Sequence, residues 1–517
     1  MSWIVLFEKN GLISLKSSGK EEDGLLPIGS FLTVHTTKSS KVILRVEESH
    51  QSDPYAPSPL IAEMDMEGLI QDSRAHNIIK ARRIYHKSDR NDGKYDFIKS
   101  RDRAELSSNE DIKDALHSSN DGPKIFPATV FSGENSLLKG SDNKYLNVQL
   151  VKEMFWHQMI ICGSTGSGKT VAMKYLAQYF VENMNGCVIA LNVKDDDLLH
   201  MEKESEHNDQ IKDEWDSMDY DKPNGVSNFQ IYHPFGDRYE SKRDVDTSRI
   251  NRISLSVDYI DPESMLGLLR DQMTDLASRF FPDIFRWWKD QNAGGLFLNF
   301  VRWFDDPDRN GTFETLDQNN NPSARNLPTG TIGNISRAIA NAMRFFDVPN
   351  SSPAEARLFL ERGKFSSIDL NDTDGIEFGS IFLRHLLSDL KRVKSEYPFP
   401  VLIIIDEAHQ FHSPNQGTKE ALKYLDNICR TGRSSKIGII FASQDLATIP
   451  KGLINIVNTH ISFNSPDPTT ARKFNISPEE LSSFDEGYAV GSFYKIRNLK
   501  YIKFPLSLAG VVNVNND

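Results

Sequence analysis

The stretch ICGSTGSGKT at residues 161–170 constrains the fold of this chain more than any other feature, because it fits G-x-x-x-x-G-K-T. It follows an apolar run, QMIICG, and opens KTVAMKYLAQYF, whose apolar spacing predicts a helix. A glycine turn between a buried strand and a helix points backbone N–H groups and the positive helix end at phosphate oxygens. The stretch therefore predicts a nucleotide phosphate site.

The whole loop is expected to contact the nucleotide, through Gly163, Ser164, Thr165, Gly166, Ser167, Gly168, Lys169, Thr170 and Val171. Glycines permit close approach because a Cβ would block it. Lys169 is expected to contact the β and γ phosphates, and the Thr170 hydroxyl to coordinate Mg²⁺.

A second apolar run, VLIIIDEAHQF at 401–411, ends in two carboxylates. Asp406 is expected to hold Mg²⁺ through water, and Glu407 to orient and deprotonate the attacking water. Both residues could instead cap a helix. Their position directly after an apolar strand candidate favours the catalytic interpretation.

Short apolar strands alternate with helical stretches after residue 145, which predicts an α/β core with a mostly parallel sheet. We assign that core to residues 146–260 and 366–517, with a helical subdomain inserted at 261–365. The aromatic residues of the insertion are expected to form a packing face rather than a ligand cage.

The first 145 residues carry short apolar runs separated by turn residues, which predicts a small N-terminal β-barrel at 1–145. Within it, 86–123 is polar, mixed in charge and poor in apolar periodicity. We interpret that segment as an exposed, mobile excursion or linker.

Composition limits the partners and the compartment. The 517 residues carry a formal net charge of -12, which disfavours a general coat of DNA but permits basic groups inside a channel. No apolar run reaches the roughly 18 residues of a membrane span, so we expect a cytoplasmic protein without membrane contact. Cys162, Cys187 and Cys429 lack paired spacing and are expected to be buried thiols.

The letters DEAH, followed by RTGR at 430–433, could also mark a two-lobed DEAH-box RNA helicase. Spacing disfavours that alternative. Lys169 and Asp406 are 237 residues apart, and only 111 residues follow Asp406, too few for a second complete lobe. One lobe with an insertion fits better.

Four motifs in order, GSTGSGKT, VLIIIDEAHQF, ICRTGRSSKIGIIFASQDL and LSSFDEGYAVGSF, resemble the HerA branch of the HerA and FtsK ATPases. The resemblance covers about 150–493, and the β-rich N-terminal segment resembles that branch's barrel (HAS-like). It implies a RecA-like P-loop core, ATP with Mg²⁺, a homo-oligomeric ring that is a hexamer in the family, and translocation of double-stranded DNA.

The same resemblance assigns further site residues. Gln444 matches a polar sensor at a strand end, and Arg430 and Arg433 match an arginine pair of which one reaches into the next subunit's site. The arginines could instead be exposed helix-end charges. The segment NVKDDDLLH departs from the family pattern, which puts a nucleotide or DNA role for Lys194 and Asp195 in doubt.

Two basic stretches are candidates for DNA contacts, RYESKRD (Arg238, Lys242, Arg243) and FYKIRNLKYIKF (Lys495, Arg497, Lys500, Lys503). In the second, alternation is more typical of a strand with one buried face.

Members of the branch work with nuclease partners such as NurA, and some pair with sirtuin-like or nuclease effectors in defence against phage. The chain could therefore be a DNA-dependent ATPase, helicase or translocase, or alternatively an ATP-regulated scaffold that gathers and activates a partner effector.

Overall fold

The computed structural model describes residues 2–17, 25–36, 40–52, 76–88, 97–131, 133–140, 144–194, 198–220, 222–234, 245–371, 375–412, 432 and 434–512. Its strands are β1 Ser2–Lys9, β2 Leu12–Ser17, β3 Phe31–His35, β4 Ser40–Ser52, β5 His76–Ser88, β6 Arg103–Leu106, β7 Lys124–Phe131, β8 Glu134–Leu137, β9 Val148–Gln149, β10 Met159–Cys162, β11 Cys187–Asn192, β12 Asn228–His233, β13 Ile250–Ser254, β14 Thr312–Leu316, β15 Pro322–Asn326, β16 Ser352–Pro353, β17 Lys364–Asp369, β18 Val401–Ile405, β19 Ile437–Ser443, β20 Thr459–Ser462, β21 Tyr488–Ser492 and β22 Tyr501–Lys503.

The α-helices in the same ranges are α1 Asn109–Ala115, α2 Lys169–Asn183, α3 Asp209–Asp216, α4 Pro262–Leu269, α5 Asp275–Gln291, α6 Phe297–Phe304, α7 Thr329–Ala342, α8 Ala356–Phe359, α9 Gly375–Val393, α10 Lys451–Ile456, α11 Pro468–Phe474 and α12 Pro478–Ser482. Every one of them is too short or too polar to cross a lipid bilayer.

The first six strands close into a barrel in the order β1-β2-β5-β4-β3-β6, and β6 pairs with both β3 and β1. Alternate positions of these strands point inwards, as the two-residue period of a strand requires. The barrel interior is formed by Trp3, Val5, Ile13, Leu15, Leu32, Val34, Val42, Leu44, Val46, Ile79, Ala81 and Ala104. The predicted N-terminal β-barrel is confirmed.

The segment 86–123 differs from the predicted excursion. It contains the end of β5, the strand β6 that closes the barrel, and the helix α1. The Ser108 hydroxyl accepts a hydrogen bond from the Asp111 backbone N–H at 3.2 Å, and Lys41 Nζ lies 3.0 Å from Asp111 Oδ2. Few apolar residues here are buried, among them Ala104, Ile112 and Leu116, so apolar periodicity is weak although much of the described backbone is regular.

The second sheet has 14 strands, in the order β16-β13-β12-β17-β11-β18-β19-β10-β20-β21-β22-β7-β8, with β9 beside β7. Neighbouring strands from β16 to β20 are parallel, and those from β20 to β8 are antiparallel. Every residue of β18 and β19 is buried, as a strand covered on both faces requires. The predicted α/β core with a mostly parallel sheet is confirmed.

The strands β7 and β8 belong to this large sheet, because β7 pairs with β22. The last barrel strand is β6, so the predicted boundary at residue 145 lies beyond the point where the chain leaves the barrel. The spacing of apolar runs in the sequence could not show which sheet these strands join. Antiparallel strands alternate in the same way in a barrel and at the margin of an open sheet, and only the pairing partner separates the two.

The inserted segment 261–365 contains α4 to α8, the antiparallel hairpin of β14 and β15, and the short strand β16. Phe281, Phe285, Trp288 and Phe300 are at most 1% exposed and pack into the same cluster as sheet residues such as Ile403. These aromatic side chains are core residues. The insertion therefore covers one face of the large sheet, and α2 covers the other.

Two of the three cysteines lie in the central sheet. Cys162 ends β10 and Cys187 begins β11, and both are buried, as predicted. Burial raises the pKa of the Cys187 thiol to about 12. Cys429 lies outside the described residues.

Candidate functional site

The predicted site residues meet at one edge of the sheet, where the parallel strands end. Cys162 at the end of β10 pairs with Ser443 at the end of β19, and Leu191 of β11 pairs with Ile405 of β18. Since parallel strands in register end together, the loops that follow them lie side by side. This brings the glycine loop after β10 next to the carboxylates after β18.

The glycine loop has a backbone that only glycine adopts without strain at its key positions. Gly163 and Gly168 have φ values of 150° and 103°. A Cβ at Gly163 would lie 2.7 Å from Phe463 Cβ, and one at Gly168 would lie 2.9 Å from the Gly487 backbone nitrogen. The helix α2 begins immediately afterwards, so the N–H groups of its first turn point towards the cleft.

Lys169 is held at the mouth of the loop by backbone oxygens. Its Nζ donates hydrogen bonds to the Gly163 carbonyl at 2.6 Å and the Ser164 carbonyl at 2.9 Å. Burial lowers the pKa of the Lys169 ammonium, and the nearby carboxylates of Glu407 and Asp406 counteract that effect. The side chain is therefore positioned before any phosphate arrives, in an environment that favours an anionic partner.

The two carboxylates after β18 are both 4% exposed. Glu407 adopts φ of 44°, in the left-handed region, and its N–H donates to Asp406 Oδ1 at 2.9 Å. A glutamate in that conformation costs backbone energy, which is typical of a functional position. His409 Nδ1 lies 3.2 Å from Glu407 Oε2.

These elements surround one cleft of about 220 Å³. Its lining residues are Thr165, Gly166, Gly168, Lys169, Thr170, Val171, Lys194, Asp406, Glu407 and Glu486. The structure thus brings together most of the predicted nucleotide residues with both predicted carboxylates. Lys194 and Glu486 were not among the predicted site residues.

Lys194 lines the cleft, although its sequence context departs from the family pattern. It follows β11, the neighbour of β18, and its Nζ lies 3.3 Å from the Thr165 hydroxyl. Position after a central strand is the signal that could have identified it, because such positions converge on the P-loop edge. Asp195 lies outside the described residues.

Glu486 reaches the cleft from the C-terminal part of the sheet. It precedes Gly487, whose backbone N–H donates to the Ser167 carbonyl at 3.1 Å. Sequence spacing gave no indication of this contact, because more than 300 residues separate the two segments. Only the pairing order of β10, β20 and β21 brings them together.

Three residues that were predicted to contact the nucleotide are not part of the cleft lining and instead support the loop. The Ser167 hydroxyl donates to the Ser164 carbonyl at 2.7 Å, and the Ser164 N–H donates to the Asn464 carbonyl at 2.7 Å. Gly163 lies beneath them, where its N–H donates to the Gln444 carbonyl at 3.0 Å. Gln444 thus contacts the loop through its main chain, while the residue is exposed outside the cleft lining.

The predicted arginine pair, Arg430 and Arg433, lies outside the described residues, as do Arg238, Lys242 and Arg243 of the first basic stretch.

The basic residues of the second stretch differ in their exposure to solvent. Lys503 forms an ion pair with Glu214, which is buried, and Lys500 is partly buried with its Nζ 3.4 Å from the Asn475 carbonyl. Lys495 and Arg497 are exposed. Alternation here reflects one buried face, so only the exposed pair remains a candidate for contacts with DNA.

The cleft also suits Mg²⁺. Thr170 and Asp406 both line it and offer a hydroxyl and a carboxylate, the oxygen ligands that Mg²⁺ prefers. The buried Glu407 Oε2 beside them has His409 Nδ1 at 3.2 Å, but the geometry there is not that of a hydrogen bond, and the described part of the chain gives this oxygen no other partner. That oxygen is an acceptor available to a metal-bound or attacking water.

No family model matches the chain. Over 147 residues it is 30% identical to the DNA double-strand break repair helicase HerA of Saccharolobus solfataricus, covering 25% of this chain and 29% of that protein. A 169-residue match to the protein of the same name from Sulfurisphaera tokodaii, also 30% identical, covers 29% and 34%. The chain thus spans about a third of the length of these curated relatives.

Among solved structures, the bacterial conjugative coupling protein TrwBΔN70 in its unbound monoclinic form has a TM-score of 0.51. The two chains are 11% identical over 79% of this chain and 93% of the other, a likeness of fold alone. A RecA-like sheet whose edge carries a P-loop and a pair of strand-end carboxylates defines a P-loop ATPase. Its matches to HerA make the chain similar to the P-loop ATPases of the HerA–FtsK type.

Proposed function

We propose that this protein is a motor that uses Mg-ATP hydrolysis to translocate along, or unwind, double-stranded DNA. The observation that carries the proposal is the position of the Glu407 carboxylate in the same cleft as Lys169, Thr170 and Asp406. A buried carboxylate beside a phosphate-binding loop suits the activation of water for phosphoryl transfer. The relatives are named DNA double-strand break repair helicases, which supports DNA as the molecule along which the motor moves.

In this mechanism the loop N–H groups and Lys169 bind the phosphates. Thr170 and Asp406 would hold Mg²⁺, which would supply positive charge to neutralise the phosphate oxygens. Glu407 takes a proton from water as the water oxygen bonds to the γ phosphorus. The bond between that phosphorus and the bridging oxygen breaks, its electron pair stays with ADP, and phosphate leaves.

We further propose that a neighbouring subunit completes the site. On the family resemblance, Arg430 or Arg433 would stabilise transition-state charge across a subunit boundary of a hexameric ring. Gln444 is placed at the loop by its main chain and would act as a sensor of the bound γ phosphate through its amide.

Duplex DNA is expected to raise the steady-state ATPase rate severalfold, with a stimulation that weakens as salt increases because phosphate contacts release counterions. The measurement compares the full chain with duplex DNA, single-stranded DNA and no nucleic acid. The Lys169→Ala variant measures background hydrolysis. A rate that no nucleic acid changes would reject the motor and favour an ATP-regulated scaffold, while stimulation by single strands alone would favour the RNA-helicase alternative.

A partner effector, of the nuclease or sirtuin-like kind, is proposed on the resemblance alone. Native mass measurement of the purified protein, with and without ATP and the product of the neighbouring gene, tests both the hexamer and the partner. A monomer under all conditions would contradict the ring.

Lys194 is predicted to assist binding of the terminal phosphate. The Lys194→Ala variant should raise the KM for ATP about 3- to 10-fold, because a partly exposed cation contributes less than a buried one. Binding of ADP should change less than binding of ATP if the ammonium faces the γ position. The matched control is Lys152→Ala, which removes a surface ion pair with Asp121. An unchanged KM would show that Lys194 lines the cleft without contacting nucleotide.

A further inference from the structure

Glu486 is the acidic residue of the cleft that the proposed hydrolysis does not use. Asp406 and Glu407 follow β18, whereas Glu486 precedes β21. In the sheet order β18-β19-β10-β20-β21 the P-loop follows the middle strand. The two groups of carboxylates therefore approach the loop from opposite sides.

The turn that carries Glu486 is tied to the P-loop at two places. Gly487 donates its N–H to the Ser167 carbonyl at 3.1 Å, and a Cβ added to Gly168 would lie 3.0 Å from Gly487 Cα. Asn464 makes the second connection, because its carbonyl accepts from the Ser164 N–H at 2.7 Å. Its side-chain Nδ2 donates to the Phe484 carbonyl at 3.0 Å. The main chain on both sides of Glu486 is thereby held beside the P-loop, while the Glu486 side chain is exposed.

The position of Glu486 indicates which part of a nucleotide it can contact. The γ phosphate belongs near Lys169 and Glu407, and the P-loop lies between Glu407 and Glu486. The end of the nucleotide away from the γ phosphate therefore belongs on the Glu486 side of the cleft. A carboxylate next to a phosphate would be repelled by it. Hydroxyl donors beyond the α phosphate are a favourable partner, and carboxylates bind ribose hydroxyls in this way in dinucleotide-binding folds.

We propose that the Glu486 carboxylate accepts hydrogen bonds from the ribose hydroxyls of the nucleotide, so that the cleft selects ribonucleotides over deoxyribonucleotides. The inference rests on the proposed ATP site and does not depend on whether the protein moves along DNA. It makes Glu486 a specificity-determining residue that contacts substrate without taking part in the transfer of the phosphoryl group.

The test is equilibrium binding of ADP, 2′-deoxyADP and 3′-deoxyADP to the full chain by calorimetry, without DNA. The original protein should bind ADP about tenfold more tightly than at least one deoxy analogue, as expected for a hydrogen bond to a charged group. Glu486→Ala should weaken ADP binding to the level of that analogue and leave binding of the analogue itself unchanged. Glu486→Gln, which keeps the shape, should lose part of the discrimination.

The matched control is Asp485→Asn, which makes the same charge change one residue away, outside the cleft lining. It should keep the preference for ADP. Equal loss for ADP and both analogues in the Glu486 variants would indicate a structural role and overturn the proposal. So would a change of preference between ADP and GDP without a change in sugar preference, because the carboxylate would then contact the base.

Two further outcomes separate this inference from the proposed motor. Equal binding of ADP and both deoxy analogues by the original protein overturns the inference without any variant. Absence of DNA stimulation rejects the motor but leaves the sugar preference standing. A chain that binds no adenine nucleotide would reject both.

Discussion

Replacing Glu407 with glutamine is expected to lower ATP turnover by about 10²- to 10⁴-fold, the range for loss of a general base. Affinity for ATP should stay close to that of the original protein. Glutamine fills the same volume and keeps the backbone N–H bond to Asp406 Oδ1, but it does not take a proton from water. Steady-state hydrolysis and equilibrium binding on the same preparation measure the two effects.

The matched control for that variant is Glu396→Gln, since Glu396 is an exposed partner of Arg357 away from the cleft. It should hydrolyse ATP normally. Turnover retained by Glu407→Gln would contradict the assignment of Glu407 as the base. Loss of ATP binding together with turnover would instead indicate that the left-handed turn at Glu407 had changed shape.

Replacing Lys169 with alanine is expected to weaken ATP binding by roughly 10- to 150-fold, which corresponds to losing hydrogen bonds from a charged donor worth about 1.5–3 kcal/mol. The effect should be strong because the ammonium is buried and already oriented by the Gly163 and Ser164 carbonyls. Fluorescent-nucleotide titration measures the affinity, and a thermal melt without nucleotide tests for damage to the fold.

The protein without nucleotide should melt at nearly the same temperature with or without the Lys169 side chain. Burial lowers the pKa of that ammonium, so its charge does not favour the folded state. The stabilisation that ATP confers at a given concentration should be smaller in the variant than in the original protein, because binding is weaker. An unchanged shift of melting temperature with ATP would show that the phosphates bind elsewhere.

Short sequence motifs were enough to predict the glycine loop and the two strand-end carboxylates. The glycine loop could be identified from residues 163–170 alone, because close approach to phosphate needs glycines and a helix start at fixed spacing. Asp406 and Glu407 could be identified because a fully buried parallel strand appears as a continuous apolar run, and its end is where such sheets place polar groups.

Other residues of the cleft could not be predicted, because their positions depend on which strands pair with one another. Lys194 and Glu486 reach the cleft only because β11 lies beside β18 and because β21 pairs with β20. Glu486 lies in the motif LSSFDEGYAVGSF, but the sequence does not indicate that either residue faces the loop. The same reason explains β7, whose short, mostly buried run is compatible with either sheet until β22 is found as its partner.

The sequence by itself determined the phosphate loop, the strand-end carboxylates and the class of fold, since each depends on interactions between residues close in the chain. Tertiary structure alone decided the order of the strands, and with it which charged side chains share the cleft. Many segments have a similar local pattern and could pair with one another, and packing on both faces of the sheet selects the pairing that forms. The resulting strand order places one carboxylate pair on one side of the loop and Glu486 on the other.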